Sequence, residues 1–576
     1  MGDVQTVADP EALSAPSSAR RRIVAVGLAA AAAAVGFLLA PGAWPAGQGS
    51  LEVLYAGRVV ASVPVAVGES DPVVAVLAGP ELTGELRLPA GIPLDTAVRV
   101  SLLVDPEADV ATSRIALRLR LSDGSREPIP ILRSDDVAGT LEGQRRPPAG
   151  SAAIMALLGA VVVLWVSEAV PLFVTSLAIP VVLVVGGTGT PEAALAPFFH
   201  PIIALFFAGF LMAEAMRRTG LDRLAAISLV ARAGRSPATL FAAMLGVSAF
   251  LSMWMSNTAA VAVLLPIALA VTEPLASPGY RRAVVLGIAY AATIGGVGSA
   301  IGTPANPLAI AYLEDFLGRE LNFVDWFAVG LPMVLLFLPI MGIYLWRRMR
   351  ARPDARLFAE TRRIAQVELA AAGRLNRDQV VVLAVFAAVV GVWLAEPWHG
   401  LDTGIVALGG AVALAVLGKV LPEDLGRISW ASLLTFGGGL TLGLFLLSTG
   451  TSDWIATRLG GLSAVPPPVA VMVVAAVTLA LTTVASNTAT AAMLVPLAIP
   501  LAGLTGVDPV TLVLVVAVAS SVDFALVIGT PPTLLAYSTR LYTPGQIFRI
   551  GIVLDVIGVL LLSLVVVWIW QLLGIT

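Results

Sequence analysis

The most constraining feature of the chain is a succession of apolar segments that runs from residue 151 almost to the C-terminus. Only 13% of all residues are charged and 58% are hydrophobic, whereas a soluble domain has about 25% charged residues. So few charges cannot cover the surface of a water-soluble protein of this length, so lipid must be its main solvent. The segments cover approximately residues 151–168, 172–188, 201–216, 237–255, 258–272, 283–300, 327–346, 377–395, 402–418, 431–448, 466–485, 488–503, 510–527 and 551–573.

Several of these segments are shorter than the roughly 20 residues that a helix needs to cross a bilayer. In two places the tripeptide Ser-Asn-Thr separates a pair of short segments, at residues 256–258 and 486–488. A polar break inside lipid is tolerated only where it faces protein or a water-filled cavity. We therefore predict an all-α polytopic membrane protein with about 11 transmembrane helices and two re-entrant helical hairpins.

Composition and motifs exclude several function classes. The formal net charge of −3 gives no reason to expect nucleic acid as a partner. The chain has no cysteine and only two histidines, His200 and His399, which disfavours a thiolate or histidine metal site. We find no GxxxxGK[ST] loop, so ATP-driven pumping is not expected. No Ser/His pair, HExxH motif or aspartate dyad lies in the apolar segments, so we predict that the protein is not an enzyme.

The N-terminal region is predicted to contain a cytoplasmic tail and one helix. Residues 1–19 are polar and are predicted to be disordered, and residues 20–41 combine three arginines with an apolar run. The positive-inside rule favours a retained first transmembrane helix with a cytoplasmic N-terminus. A cleaved signal peptide is the alternative.

Residues 49–135 have a different pattern from the rest of the chain. From Ile115 to Leu121 apolar residues alternate with mostly polar ones, and Asp123-Gly124 follows. Alternation of this kind bounded by Asp-Gly predicts a half-buried strand in a hairpin. We predict a small all-β extracytoplasmic domain inserted after the first helix, followed by a linker at 136–150.

Four motifs recur in the same order in the two halves of the apolar region. The first half contains Trp165-Val166-Ser167-Glu168, Phe207-Ala208-Gly209, Ser256-Asn257-Thr258 and Ile301-Gly302-Thr303-Pro304. Their counterparts are Trp393-Leu394-Ala395-Glu396, Phe436-Gly437-Gly438, Ser486-Asn487-Thr488 and Ile528-Gly529-Thr530-Pro531, at offsets of 227 to 230 residues. Shared Leu and Ala would be expected of any two membrane segments, whereas four shared motifs in the same order indicate an internal repeat.

The loop charges predict that the two repeats have opposite orientations. Nine arginines lie between Arg347 and Arg377, which makes residues 349–376 a cytoplasmic loop. Repeat 1 is predicted to cover residues 151–348 and repeat 2 residues 377–576. The hairpins then enter the membrane from opposite sides, and inverted-topology repeats with broken helices are an architecture of transporters.

Each predicted hairpin tip carries residue types that suit a small hard cation and an anion. A hydroxyl lies four residues before each tripeptide serine, at Ser252 before Ser256 and at Thr482 before Ser486. Positions i and i+4 share a helix face, so each pair is predicted to direct two oxygens at one point. Unwound carbonyls suit Na⁺, and helix N-termini suit an anion. The Gly-Thr-Pro breaks are predicted to place Thr303 and Thr530 against the same cavity.

At these residues the chain resembles the divalent anion:sodium symporter (DASS) family, whose members carry dicarboxylates, citrate or sulfate. The resemblance covers the first helix and residues 151–576, and it includes the segment Trp165–Pro171. It implies sodium-coupled symport of a small divalent anion, with succinate as the leading candidate and no organic cofactor. It also implies a homodimer that works by an elevator mechanism in a lipid bilayer, which we expect to be the inner membrane of a bacterium.

The resemblance also implies roles for individual residues. One sodium site would consist of Ser252, Ser256, Asn257 and a carbonyl near Gly302. The second would consist of Thr482, Ser486, Asn487 and a carbonyl near Gly529. The residues implied to contact the substrate are Asn257, Thr258, Thr303, Pro304, Asn487, Thr488, Thr530 and Pro531.

The chain departs from the family pattern in three respects. The family sequence Thr-Pro-Pro-Asn is Thr303-Pro304-Ala305-Asn306 in the first half and Thr530-Pro531-Pro532-Thr533 in the second, so its asparagine is missing from the second half. The β-rich insertion is not a usual part of the family. Third, Asp523 lies within an apolar segment, where a carboxylate is costly and often functional. We hypothesise that Asp523 supplies negative charge near the second cation site or carries a proton in place of one sodium; capping of a nearby polar group is the alternative.

The sequence is also compatible with other functions. A sodium-independent or proton-coupled anion exchanger, or a sulfate carrier, would be compatible with the same motifs. A membrane sensor without transport activity is disfavoured because cation-site residue types are present in both halves.

Overall fold

The computed structural model describes residues 28–33, nine strands between residues 47 and 145, and residues 151–576 apart from 226–227, 229–235, 276, most of 351–374 and most of 453–464. Residues 28–33 are helical. The predicted tail at 1–19, the rest of the predicted first helix and most of the basic loop at 349–376 lie outside the described residues.

Nine strands precede the helical region. They are β1 (Gly47–Tyr55), β2 (Arg58–Val67), β3 (Val73–Ala78), β4 (Thr83–Leu88), β5 (Val98–Val104), β6 (Ile115–Arg120), β7 (Arg126–Ile129), β8 (Ile131–Asp135) and β9 (Thr140–Arg145). They form two sheets with strand orders β2-β1-β6-β7 and β3-β4-β5-β9-β8. Every neighbouring pair is antiparallel.

The strand boundaries differ from the prediction at one end. The hairpin expected around Asp123-Gly124 is formed by β6 and β7, with Arg120 opposite Arg126. By contrast, β9 lies inside the segment 136–150 that was predicted to be a linker, and it pairs with both β5 and β8. The glycines and prolines of this segment suggested a linker, but pairing with two neighbouring strands extends the sheet beyond residue 135.

The remainder of the described chain is helical. The helices are α1 (Ser151–Ser167), α2 (Leu172–Val185), α3 (Pro191–Leu195), α4 (Pro201–Thr219), α5 (Pro237–Ser252), α6 (Asn257–Thr272), α7 (Pro278–Gly295), α8 (Ala305–Leu317), α9 (Phe323–Arg348), α10 (Arg377–Leu394), α11 (Glu396–His399), α12 (Thr403–Val416), α13 (Trp430–Ser448), α14 (Pro467–Thr482), α15 (Asn487–Thr505), α16 (Pro509–Ala519), α17 (Pro531–Ser538), α18 (Pro544–Leu561) and α19 (Val567–Leu572), with a π-helical turn at Leu562–Val566 between the last two.

Several helical segments are long and apolar enough to cross a membrane. In the described part of the chain seven meet this criterion: Pro191–Thr219, Asn257–Leu275, Phe323–Arg348, Arg377–Leu394, Trp430–Ser448, Asn487–Thr505 and Pro544–Leu572. Shorter apolar helices, including α5, α14 and α16, accompany them. The short ones include the first arms of both predicted hairpins, as expected for segments that do not cross alone.

The helices break at the positions that the motifs predicted. Helices α5 and α6 are separated by residues 253–256, and α14 and α15 by residues 483–486. Two further breaks follow, because α7 gives way to a 3₁₀ turn at Gly296–Gly298 and α16 ends at Ala519. Ser256 before α6, Ser486 before α15 and Thr530 before α17 are favourable N-caps, and proline suits the first turn of α17 because that turn needs no backbone donor.

The two halves pack against each other in a reciprocal manner. Helix α8, which follows the first break, packs against α15 and α16 of the second half. Helix α17, which follows the second break, packs against α6 and α7 of the first half. Both α7 and α16 are buried along most of their length. The four breaks are therefore brought together around a common core.

Candidate functional site

The first hairpin tip is shaped by a serine cap and a buried side-chain hydrogen bond. The hydroxyl of Ser256 accepts a hydrogen bond from the backbone N–H of Ala259 at 3.3 Å, which caps α6. The hydroxyl of Ser252, which is fully buried, donates to Oδ1 of Asn257 at 2.6 Å. The asparagine side chain is thereby held in one orientation at the start of α6.

This arrangement corrects the expected geometry of Ser252 and Ser256. The i, i+4 relation requires one continuous helix, but α5 ends at Ser252 and residues 253–256 form a turn. The partner of Ser252 is therefore Asn257, and the side chain of Ser256 is occupied with capping. The same correction applies in the second half, where Ser486 caps α15 at 3.2 Å from the Ala489 nitrogen.

The first break brings backbone oxygens close to Asn257. A Cβ atom placed on Gly296 would lie 2.6 Å from Oδ1 of Asn257 and 2.9 Å from the carbonyl oxygen of Gly302. A Cβ atom placed on Gly302 would lie 2.9 Å from the carbonyl oxygen of Ser252. Oδ1 of Asn257 and the Gly302 carbonyl oxygen thus lie against Gly296, and the Ser252 carbonyl oxygen lies against Gly302. Such oxygen ligands are preferred by hard cations.

Asn306 holds this break in shape. Its amide nitrogen donates to the carbonyl oxygens of Gly296 at 3.0 Å and Ser299 at 2.6 Å. Its own Oδ1 is buried and has no partner among the described residues. Neither Asn306 nor Gly296 was among the predicted site residues, although the Thr-Pro-Ala-Asn motif pointed to Asn306.

The second tip repeats the geometry of the first. Thr482 is fully buried, and its hydroxyl lies 2.9 Å from Oδ1 of Asn487 and 2.7 Å from the carbonyl oxygen of Ser520. Ser520 stands at the end of α16, where the second break begins. The second tip is therefore tied to its break, as the first is, through a hydroxyl, an asparagine and a backbone oxygen.

The second break contains a buried carboxylate. Asp523 is 1% exposed, and neither of its carboxylate oxygens has a hydrogen-bond partner in the part of the chain that the structure describes. A Cβ atom placed on Gly529 would lie 2.9 Å from Oδ1 of Asp523 and closer still to Oδ2. A bare buried carboxylate is energetically costly, so its position against Gly529 suits a site for a cation.

The remaining predicted substrate contacts lie at the starts of helices α6, α8, α15 and α17. Thr303 and Ser521 place their hydroxyl oxygens 3.3 Å apart, and both residues are buried, so the two breaks touch directly. Thr530 caps α17 through the Thr533 nitrogen and lies 2.9 Å from the Thr533 hydroxyl. Thr258 and Thr488 are half-buried in the first turns of α6 and α15, whereas Pro304 is half-buried and Pro531 exposed.

A cavity of about 130 Å³ adjoins the first tip. Its lining includes Ser256 at the tip and the charged residues Glu214, Arg217 and Arg427. The carboxylate of Glu214 accepts from Nε of Arg217 at 2.7 Å and from Arg427 at 3.3 Å. Inside lipid, a helix break is tolerated where its free backbone groups face protein or a polar cavity of this kind.

The donor set excludes a conventional protein metal centre in the described residues. No group of three or more His, Cys, Asp or Glu side chains that could hold a metal ion occurs there. The oxygens around Asn257 and Asn487 are instead neutral. The second break adds two buried carboxylates, Asp523 against Gly529 and Asp555, which accepts from the Phe524 nitrogen. Neutral oxygens at unwound helices fit an alkali cation better than zinc or iron.

Comparisons with known proteins identify the family. A model described as citrate transporter (CitMHS) matches residues 162–503 and 398–575. The sodium-dependent dicarboxylate transporter SdcS of Staphylococcus saprophyticus is 30% identical over 430 residues, covering 70% of this chain and 83% of that protein. The protein of the same name from Staphylococcus aureus strain bovine RF122 / ET3-1 is 31% identical over 438 residues, with the same coverage.

A solved structure also resembles the chain. The YdaH transporter of Alcanivorax borkumensis aligns with a TM-score of 0.46 and 17% identity, covering 66% of this chain and 88% of that one. The family match and the relatives are all membrane transporters rather than enzymes. The protein is therefore an integral membrane transporter that belongs to the citrate transporter family, in agreement with the divalent anion:sodium symporter resemblance of its motifs.

Proposed function

We propose that the protein couples the entry of Na⁺ to the transport of a small divalent anion, with dicarboxylates such as succinate as the preferred substrates. The observation that carries the proposal is the repeated tip, in which a buried hydroxyl fixes an asparagine beside unwound backbone: Ser252 with Asn257, and Thr482 with Asn487. The sodium dependence and dicarboxylate transport named for the SdcS relatives support it.

The sodium ions are proposed to bind at the two tips. The first site would use Oδ1 of Asn257 and the Gly302 carbonyl oxygen, which lie against Gly296, together with the Ser252 carbonyl oxygen, which lies against Gly302. The second would use Asn487, Thr482 and the backbone near Gly529. Ser256 and Ser486 are assigned a capping role, so any contribution to the ion would come from their backbone.

The anion is proposed to lie between the four helix starts that surround the meeting point of the two breaks. Free N–H groups and the positive end of the helix dipole favour an anion at each start. The side chains proposed to add donors are those of Asn257, Thr258, Thr303, Asn487, Thr488 and Thr530. Na⁺ at both tips would attract a divalent anion to the space between them, which explains why the two ligands bind together.

The reciprocal packing of α8 and α17 supports an arrangement of two inverted repeats. We propose that the tips enter from opposite membrane faces, that the protein works by elevator-type alternating access as a homodimer, and that it resides in a bacterial inner membrane with its N-terminus in the cytoplasm. The strand-rich region that follows the first helix would then be extracytoplasmic. Positive charge in the loops at 281–282 and 347–377 supports this orientation.

Asp523 is proposed to supply negative charge to the second sodium site. An Asp523→Asn variant is expected to raise the sodium concentration for half-maximal uptake at least about tenfold, because a unit charge about 4 Å from an ion is worth a few kcal/mol even at an effective dielectric of 20. The measurement is initial uptake against sodium concentration at several pH values.

Asp508→Asn is the matched control for this variant. Asp508 caps α16 at the end opposite the second break, its Oδ2 accepts from the Thr511 nitrogen at 2.8 Å, and an asparagine retains an acceptor there. Its sodium dependence should stay within about twofold of wild type. An Asp523→Asn variant with unchanged sodium dependence would remove Asp523 from the sodium site, and a loss of pH dependence alone would favour proton coupling.

The proposed function is tested by uptake of labelled succinate into proteoliposomes, with an inward sodium gradient or an equal potassium gradient. We expect uptake above equilibrium only with sodium. Unlabelled succinate, citrate and sulfate added as competitors rank the substrates. If no dicarboxylate, citrate or sulfate is accumulated in response to sodium, the proposal fails.

A further inference from the structure

A second, strongly basic cavity lies away from the hairpin tips. It has a volume of about 280 Å³ and is formed where the start of α7, the end of α9 and the start of α18 meet. Four arginines line it, namely Arg282, Arg348, Arg350 and Arg549, together with Tyr542 and Gln546. No acidic residue belongs to the lining.

The walls of this cavity are fixed by close packing. Tyr542 is buried, and its hydroxyl accepts from the Leu286 nitrogen at 3.1 Å and donates to the carbonyl oxygen of Arg282. A methyl group on Gly279 would overlap the carbonyl oxygen of Met349, so α7 and α9 approach each other at backbone distance. The arginines therefore project from elements that are held together.

The charge of the cavity is uncompensated within the described residues. None of the four arginines forms an ion pair there. Four guanidinium groups around one small space repel each other, and an anion in that space removes the repulsion. Guanidinium groups match phosphate oxygens in a bidentate geometry. The N-termini of α7 and α18 add a favourable dipole.

We propose that this cavity binds a phosphate group, most favourably the head group of an anionic phospholipid. Helices α9 and α18 belong to membrane-length segments, so the cavity lies at the end of two spanning helices. Its arginines assign that end to the cytoplasm, where anionic head groups occupy basic pockets between helices. The cavity is about 20 Å along α7 from the first break, so it is separate from the proposed substrate site.

A bound phosphate would connect the two halves of the chain. Arg282, Arg348 and Arg350 belong to the first half and Arg549 to the second. The ligand would therefore stabilise the contact between α7, α9 and α18, and its loss should lower thermal stability without altering the residues at the hairpin tips.

The test is a titration of the purified full-length protein in phosphatidylcholine nanodiscs, with thermal unfolding as the readout. One series raises the fraction of phosphatidylglycerol, and a second adds inorganic phosphate. We expect phosphatidylglycerol to raise the unfolding temperature, with the half-saturating fraction increased about fivefold in Arg282→Gln or Arg549→Gln and about 25-fold in the double variant. Stabilisation by inorganic phosphate alone, lost in the same variants, would support the phosphate site with a soluble ligand.

Arg377→Gln is the matched control, because Arg377 is exposed at the start of α10 and lies outside the cavity. It should leave both titrations unchanged, whereas Arg549→Lys, which keeps the positive charge but loses the bidentate guanidinium, should bind more weakly than wild type and more tightly than Arg549→Gln. The proposal is overturned if neither ligand stabilises the wild-type protein, or if Arg377→Gln weakens binding as much as the cavity variants. Sodium-driven uptake does not enter this readout, so the two proposals fail independently.

Discussion

Replacement of Asn487 by alanine is expected to reduce sodium-driven anion uptake at least about 100-fold. The side chain is proposed to contribute an oxygen to the second sodium site and a donor to the anion, and a hydrogen bond to a charged group contributes about 1.5–3 kcal/mol. Loss of both contributions exceeds the roughly 2.7 kcal/mol that a 100-fold change represents. Initial uptake of labelled succinate in proteoliposomes, at saturating sodium and below it, measures the effect.

The fold should tolerate this substitution. Thr482 keeps its hydrogen bond to the carbonyl oxygen of Ser520 when Asn487 is removed. Asn376→Ala is the matched control, since Asn376 also stands at a helix start and caps α10, but in an exposed position. Loss of that cap costs about 1 kcal/mol of stability and should leave uptake close to wild type. Equal loss of uptake in both variants would contradict a ligand role for Asn487.

Replacement of Gly302 by alanine is expected to abolish uptake, to below about 1% of wild type. The added methyl group would overlap the Gly296 carbonyl oxygen and lie 2.9 Å from that of Ser252, both of them backbone atoms. Relief of the overlap requires the first break to move away from the first tip, which separates the oxygens proposed to bind sodium. Sodium-dependent uptake and thermal unfolding of the purified variant, measured together, distinguish loss of the site from loss of the fold.

Gly246→Ala provides the comparison for this variant. Gly246 lies in α5 of the same hairpin, and a methyl group there would meet no atom within 4 Å. Alanine is the better helix former by about 1 kcal/mol, so this variant should be at least as stable as wild type and fully active. An active Gly302→Ala protein with normal sodium dependence would show that the close approach of the first break to the first tip is not needed for transport.

The sequence was sufficient to locate the helix breaks because they depend on local chemistry. Serine caps and the Gly-Thr-Pro motifs fix where α6, α15 and α17 begin, largely independently of the rest of the fold. The internal repeat could also be recognised from the sequence, because its four motifs recur in the same order in both halves. The partners of Asn257 and Asn487 were not predictable in the same way, since they depend on the course of the turns at 253–256 and 483–486.

Contacts between the halves could not be predicted from either half alone. The approach of Thr303 to Ser521 follows from the packing of α8 and α17 across the molecule, which no local pattern records. Asn306 was predictable only in part. The Thr-Pro-Ala-Asn motif indicated that the residue is important, but only the fold shows that it holds the 3₁₀ turn after α7. The extension of the sheet through β9 likewise depends on pairing with β5 and β8.

We propose that one transport cycle of the protein carries sodium and the anion together. Radiolabelled sodium uptake into wild-type proteoliposomes, driven by an inward succinate gradient with no sodium gradient, tests it most directly. We predict that succinate accelerates sodium entry, and that Asn257→Ala and Asn487→Ala each remove this acceleration. Entry of succinate at the normal rate without any accompanying sodium would contradict the account.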